Sequence, residues 1–275
     1  MNTEQDPLGI FSSGLFRGTT VLVTGGGRGI GKQVALAFSR LGANVVIASR
    51  NPENLNSTAE EIRATGVGCL AVPTDIRATD QVESLVQQSL ERFGTIDFLV
   101  NNAGGQFPAR PAQISDNGWR TVIDLNLNGT WNMCSRVGPH MIERGFGCIV
   151  NIVHIYSFER GAPPFAHSGA ARAGVVNMTR SLAYDWAQHG VTVNALAPGF
   201  VATAGLREEV IKQDDYEALA ARDIPAQRLA EPDEIAAVAL FLCSPGARYI
   251  NGSTIVADGA LYLSNWTPWW DSDPG

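Results

Sequence analysis

Residues 19–31, TTVLVTGGGRGIG, decide the fold. Thr19 to Val23 is a short apolar run rich in β-branched residues, the composition of a strand buried on both faces. It runs directly into Gly25-Gly26-Gly27-Arg28-Gly29-Ile30-Gly31, and Lys32 to Leu41 then has helical spacing closed by Gly42. Strand, glycine loop and helix in that order suit a pyrophosphate: glycines let the backbone turn sharply and come close, and the helix start offers unpaired N–H groups and a favourable dipole. A glycine cluster alone is weak, since turns use glycine for many reasons. The flanking elements strengthen it, and Asn44 to Ala48 supplies the second strand of a right-handed βαβ unit.

Working outward, helices and strands alternate with no break in composition. Helices are expected near 55–64, 82–93, 119–141, 168–189 and 233–242, and further strands near 68–73, 96–100, 149–153, 192–197 and 253–256. This pattern predicts an α/β fold, a single doubly wound Rossmann-type domain over 1–275 with a parallel sheet covered by helices on both faces. Residues 1–17 read as a short polar leader. Residues 204–227, charged and weakly patterned, suit a substrate lid or a plain surface excursion. The segment 261–275 carries Trp266, Trp269 and Trp270, an aromatic tail expected to be buried against a second subunit or at the rim of a substrate pocket.

Composition narrows the function. The chain has 275 residues, 45% of them hydrophobic, and a formal charge of −7. An acidic chain without a basic run lacks the positive field that nucleic acid requires. No apolar run reaches the length of a bilayer span and the first residues do not form a secretory signal, so a cytoplasmic protein is expected. Cys69, Cys134, Cys148 and Cys243 have no C-x-x-C spacing; reduced, buried thiols are expected, with no metal site.

The strand-end residues select the cofactor. An acidic side chain after the second strand would accept from a ribose 2′-hydroxyl and repel a 2′-phosphate. Ser49-Arg50 stands there instead, and Arg28 in the glycine loop could reach the same region, so NADP(H) is favoured over NADH unless both arginines are simply solvated charges. Asp75, followed by Ile76, is an acceptor for an adenine amino group or a turn acceptor. Asn101-Asn102-Ala103-Gly104-Gly105 after the fourth strand lets a flat cofactor lie against backbone. Asn126 and Asn128 are unfavourable inside a helix, which points to a bonding role or to a bend.

Together Thr24-Gly25-x3-Gly29-Ile30-Gly31, Asn101-Asn102-Ala103-Gly104, Asn126, Pro198-Gly199 and Val256-Ala257-Asp258-Gly259 make the chain resemble the short-chain dehydrogenase/reductases over nearly its full length. The resemblance implies a nicotinamide-dependent oxidoreductase, a homo-oligomer (tetramer or dimer), acting on a small molecule at the carboxyl ends of the strands. It places cofactor binding on Gly25, Gly27, Arg28, Gly29, Ile30, Gly31, Ser49, Arg50, Asp75, Ile76, Asn102, Ala103, Gly104, Arg172, Pro198, Gly199, Val201 and Thr203. The family's usual Ser and Tyr-x-x-x-Lys are replaced: the serine position reads Val153-His154, the tyrosine position Ser168 and the lysine position Arg172. The string from His167 to Gly174 resembles the branch of trans-2-enoyl-CoA and 2,4-dienoyl-CoA reductases, in some of which a catalytic tyrosine follows the preceding strand within an Ile-Tyr pair; Ile155-Tyr156 matches it. That likeness implies that Tyr156 and Asn128 meet a thioester oxygen, Asn126 orders water, Arg172 supplies charge, and His154 and His167 stand as reserve acids. Tyr156 could instead be a loop phenol packed on Phe158. Two other functions fit the same chain: an alcohol or aldehyde dehydrogenase for an aliphatic or isoprenoid, citronellol-like substrate, and a catalytically silent NADPH-binding scaffold.

Overall fold

The structure, a computed structural model, describes residues 6–204, 206 and 224–263. Seven parallel strands form one sheet: β1 (Thr20–Thr24), β2 (Asn44–Ser49), β3 (Cys69–Pro73), β4 (Phe98–Asn101), β5 (Gly147–Ile152), β6 (Val191–Pro198) and β7 (Thr254–Ala257). Their order is β3-β2-β1-β4-β5-β6-β7. The direction of winding reverses between β1 and β4, and in an open parallel sheet the crevice outside the carboxyl ends at that reversal is where ligands bind.

Among the described residues, seven helices cover the two faces: α1 (Gly29–Arg40), α2 (Pro52–Ala64), α3 (Thr79–Phe93), α4 (Asp116–Ile123), α5 (Gly129–Arg144), α6 (Ala166–Trp186) and α7 (Pro232–Cys243). The alternation of β1 feeds both layers. Val21 and Val23 pack with α1 and α7, and Leu22 packs with α3 and α5; all three are fully buried. Each such aliphatic side chain contributes about 1.5–3 kcal/mol of burial, which is why these strands read as continuous apolar runs.

The leader proves to be more than polar. Phe16 is 2% exposed, its ring 4.7 Å from that of Phe38 and 5.3 Å from that of Phe98, so the approach to β1 closes the base of the core. The single helix expected over 119–141 is interrupted. Residues Asp124–Asn128 form a π turn between α4 and α5, so that the frame of side chains shifts at the two asparagines. Of the expected lid and tail, 205, 207–223 and 264–275 lie outside the described residues, the three tail tryptophans among them.

Candidate active site

Close contact builds the cofactor edge. Gly25 has φ +66°, and a Cβ there would stand 2.7 Å from Asn102 Nδ2 and 3.0 Å from Ala103 Cα. Thr24 Oγ1 accepts from the backbone N–H groups of Asn102 and Ala103, each at 3.0 Å, and Asn102 Nδ2 donates to Thr24 O at 3.1 Å. The ends of β1 and β4 are thereby tied into one shelf, one strand either side of the winding reversal. Gly31 also has no room for a methyl, since Asn102 and Gly25 crowd it, so it lets α1 pack closely on the shelf.

A cavity of about 440 Å³ opens on this shelf. It is lined by Gly25, Gly27, Arg28, Gly29, Ile30, Ser49, Arg50, Asp75, Ile76, Asn102, Ala103, Gly104 and Thr203, all of them expected cofactor residues. The start of α1 opens onto it, as phosphate binding requires. Asp75 is bonded to Arg77, whose guanidinium lies 2.5 Å away and holds its carboxyl below the usual carboxylate range. Asn51 and Asn54 also line the cavity. Asn51 Oδ1 accepts from Asn54 N at 3.0 Å with Pro52 at the first helical position, a capping signal in Asn51-Pro52 that says nothing of a ligand.

A second cavity of about 270 Å³ adjoins it, with Gly104, His154, Tyr156, Pro198, Gly199, Val201 and Thr203 on its walls. β5 delivers His154 and Tyr156 at its carboxyl end. Tyr156 is half-buried with its Oη shielded from solvent, and its ring lies 5.6 Å from that of His154. Phe158 stacks on Tyr262 at 5.1 Å, so the expected alternative partner of Tyr156 is engaged elsewhere.

His154 holds a defined tautomer. Its Nδ1 accepts the backbone N–H of Tyr156 at 3.2 Å and lies 3.1 Å from Ser157 Oγ, so the ring proton belongs on Nε2, which is 3.1 Å from Ser168 Oγ. Burial and then the Arg172 charge push the imidazole down to about 3, so it is neutral at physiological pH. The positions that read as a lost serine and a lost tyrosine are thus joined by a His154–Ser168 hydrogen bond. Their spacing of 14 residues across a loop is what hid the pairing. His167 is fully buried, edge-on to Phe107 at 4.5 Å, and lines neither cavity; burial lowers its pKa, which weakens it as a reserve acid.

Three expected residues line neither of these two cavities. Arg172 is 9% exposed and donates to Ile152 O. Burial lowers its pKa to about 10, which leaves it cationic at neutral pH. It sits under Gly104, where a methyl would collide with both Arg172 and Asn126, so only glycine lets the shelf close over the guanidinium. Asn126 is fully buried. Its Nδ2 donates to Gly105 O (2.8 Å) and Val122 O (2.9 Å), and its Oδ1 accepts from Gly105 N (3.2 Å), fastening the π turn to the shelf. Asn128 falls on the other side of that turn. It is exposed, donates to Asp124 Oδ1 at 2.8 Å and lines neither of these two cavities: two positions from the buried Asn126 on a helix, it falls on the opposite side, and the structure does not bring it beside Tyr156. Among the described residues no group of His, Cys, Asp or Glu could hold a metal ion.

A phosphate-binding βα turn at the winding reversal, beside a cavity walled by a phenol and an imidazole, defines a dinucleotide-binding oxidoreductase fold. Comparison with known proteins makes this specific. The sequence model of the Enoyl-(Acyl carrier protein) reductase family matches residues 25–261, and the chain belongs to the short-chain dehydrogenase/reductases. It is 36% identical to a probable 2,4-dienoyl-CoA reductase of Bacillus subtilis over 246 residues, covering 89% of this chain and 96% of the relative. It is 38% identical to a peroxisomal 2,4-dienoyl-CoA reductase of Pongo abelii over 257 residues (93% and 87%). A solved structure described as a citronellol catabolism dehydrogenase (AtuB) of Pseudomonas aeruginosa PAO1 superimposes with a TM-score of 0.81 at 41% identity, covering 92% of this chain and 98% of that one.

Proposed function

We propose that the protein is an NADP(H)-dependent reductase of the C=C bond of a 2-enoyl- or 2,4-dienoyl-CoA thioester, working in the cytoplasm as a homo-oligomer. The observation that carries this reading is the pair on the second cavity: Tyr156 beside a neutral His154, in place of the family's helix-borne phenol. The likeness to dienoyl-CoA reductases supports it.

The glycines and the two arginines on the wall of the first cavity support a dinucleotide bearing a 2′-phosphate. Gly25 and Gly27 admit the diphosphate close to backbone, and Arg28 and Arg50 on the cavity wall would pair with a 2′-phosphate. Bound there, a reduced nicotinamide supplies a hydride. Where transfer to an electron-poor alkene carbon would build negative charge on the thioester oxygen, Tyr156 would be the donor for that oxygen. With an ordinary pKa of about 10, a phenol keeps its proton at neutral pH and can then pass it on. His154, neutral and with its single N–H given to Ser168 Oγ, adds no charge beside Tyr156. Arg172, fixed on Ile152 O, biases the site toward the developing anion from behind the shelf.

The likeness to the citronellol catabolism dehydrogenase favours a second reading, oxidation of an isoprenoid or aliphatic alcohol, in which Tyr156 would take up the hydroxyl proton. Parallel assays separate the two: NADPH with a medium-chain 2-enoyl-CoA, and NADP⁺ with citronellol, following the reduced nicotinamide by absorbance. Turnover of the thioester alone is expected. Turnover of the alcohol alone overturns the first reading, and binding of NADPH without turnover of either would mark a scaffold.

A further inference from the structure

The end of the sheet opposite the cofactor edge carries separate chemistry. A cavity of about 530 Å³ opens there, between the amino ends of β4, β5 and β6 and the carboxyl end of α7. Phe98, Phe146 and Leu242 give it an apolar wall, and Arg248 lies 5.5 Å over the Phe146 ring. Two thiols share that wall. Cys148 is near the start of β5 and Cys243 is the last residue of α7; they are 95 residues apart in sequence, yet their sulfurs lie 3.6 Å apart.

The environments of the four cysteines differ in a way that singles out this pair. Cys69 is pushed up to about 11 and Cys134 to about 12, in both cases by burial, which keeps them as unreactive thiols. Contact with Cys243 draws Cys148 below the usual thiol value against its own burial, and burial pushes Cys243 up. Geometry sets the pair apart: the Cys148 thiol donates to Leu242 O at 3.3 Å and to Cys243 Sγ at 3.6 Å, with a cavity alongside to admit a reagent.

We propose that Cys148 and Cys243 are a peroxide-reactive dithiol site that closes to an intramolecular disulfide when a small hydroperoxide enters this cavity. The Cys148 thiolate attacks the terminal oxygen of the hydroperoxide, the O–O bond breaks, and the alkoxide (hydroxide, for hydrogen peroxide) leaves and takes up a proton, giving Cys148 sulfenic acid. Cys243 then attacks that sulfur as thiolate, the S–O bond breaks, and hydroxide leaves as water. In sum two thiols lose two electrons and two protons, and the peroxide is reduced to an alcohol (or water) plus water. Closing the bond needs the sulfurs to approach by roughly 1.5 Å, to the disulfide length of about 2.05 Å. The cross-link would staple the end of α7 to the head of β5. Cys148 is about four residues, roughly 13 Å of extended strand, from the carboxyl end that presents His154 and Tyr156, so oxidation is expected to raise thermal stability while sparing NADPH binding.

Treating the full chain with an equivalent of hydrogen peroxide, then mapping peptides without reductant, tests this directly. The expected product has lost about 2 Da per chain, contains one cross-linked peptide pair joining Cys148 to Cys243, reverts with dithiothreitol and melts several degrees higher. Cys148→Ser and Cys243→Ser should each abolish the cross-linked pair. The mapping on the unaltered chain decides the matter even if either variant fails to fold. Oxidation that falls first on Cys69 or Cys134, or Cys148 proceeding to sulfinic acid with Cys243 left free, would overturn the proposal.

Discussion

Asn126 is where the structure makes its most quantitative demand. In this fold it is a clamp: one fully buried amide makes two bonds to Gly105, one donated and one accepted, that fix the π turn to the shelf, and donates a third to Val122 O within its own helix. Asn126→Ala removes all three. The bond to Val122 O is buried and is worth about 1–1.5 kcal/mol; the two to half-buried Gly105 can be partly replaced by water and are worth about 0.5–1 kcal/mol each. The expected loss is about 2–3.5 kcal/mol, which at about 2 °C per kcal/mol for a chain of this size lowers the melting temperature by roughly 4–7 °C. Because Gly104 roofs Arg172 and lines both cavities, release of this segment is also expected to weaken NADPH binding several-fold. Asn126→Asp keeps the shape and loses both donors, so it should fall by at least as much and separate hydrogen bonding from packing. Thermal unfolding without cofactor, followed by circular dichroism, and a fluorescence titration with NADPH measure the two effects. An Asn126→Ala protein that melts within about 1 °C of the wild type and binds NADPH unchanged would refute the clamp.

Tyr156→Phe is expected to cut turnover by about 10²–10⁴-fold with NADPH affinity unchanged, measured by steady-state kinetics and cofactor titration; full retained rate would move the donor role to His154 or water. Arg50→Ala and Arg28→Ala should each raise the Kd for NADPH by about tenfold or more, the loss of about 1.5–3 kcal/mol of charge-assisted bonding, and leave that for NADH nearly unchanged. The His154 imidazole titrates near 3 when folded and near 6.5 when unfolded, so only the unfolded chain takes up this proton below pH 6.5. Its contribution to stability is complete above about 6.5 and is lost as the pH falls toward 3, at about 1.4 kcal/mol per pH unit. Urea unfolding at pH 7 and pH 5 should therefore show His154→Gln losing about 2 kcal/mol less than the wild type between the two.

What the sequence revealed and what it hid divide along physical lines. The glycine loop was legible because a positive φ and a close approach can be met by few residue types, and Gly25 and Gly104 meet them in three dimensions as they do on the page. The seven strands were legible because a sheet covered on both sides admits almost only apolar residues. Which of Asn126 and Asn128 is buried was not, since their spacing puts them on opposite sides of the helix and only the tertiary contact with Gly105 decides which side is covered. Arg172 read as a hand on the cofactor, but its burial under Gly104 depends on the fold of β5 against α6. Phe16 was hidden in a polar leader because its three-ring contact with Phe38 and Phe98 is purely tertiary. The His154–Ser168 bond spans a loop whose path the residues alone do not give.

The central claim is that a hydride passes from NADPH to the alkene carbon of a thioester, and isotopic transfer measures that step itself. The protein is incubated with NADPH deuterated at the transferring position and a 2-enoyl- or 2,4-dienoyl-CoA, and the acyl product is analysed by mass spectrometry. One deuterium on carbon in the reduced acyl chain, lost in parallel with turnover in Tyr156→Phe, is the predicted result. A thioester recovered unlabelled, while NADP⁺ is reduced by citronellol under the same conditions, would contradict it.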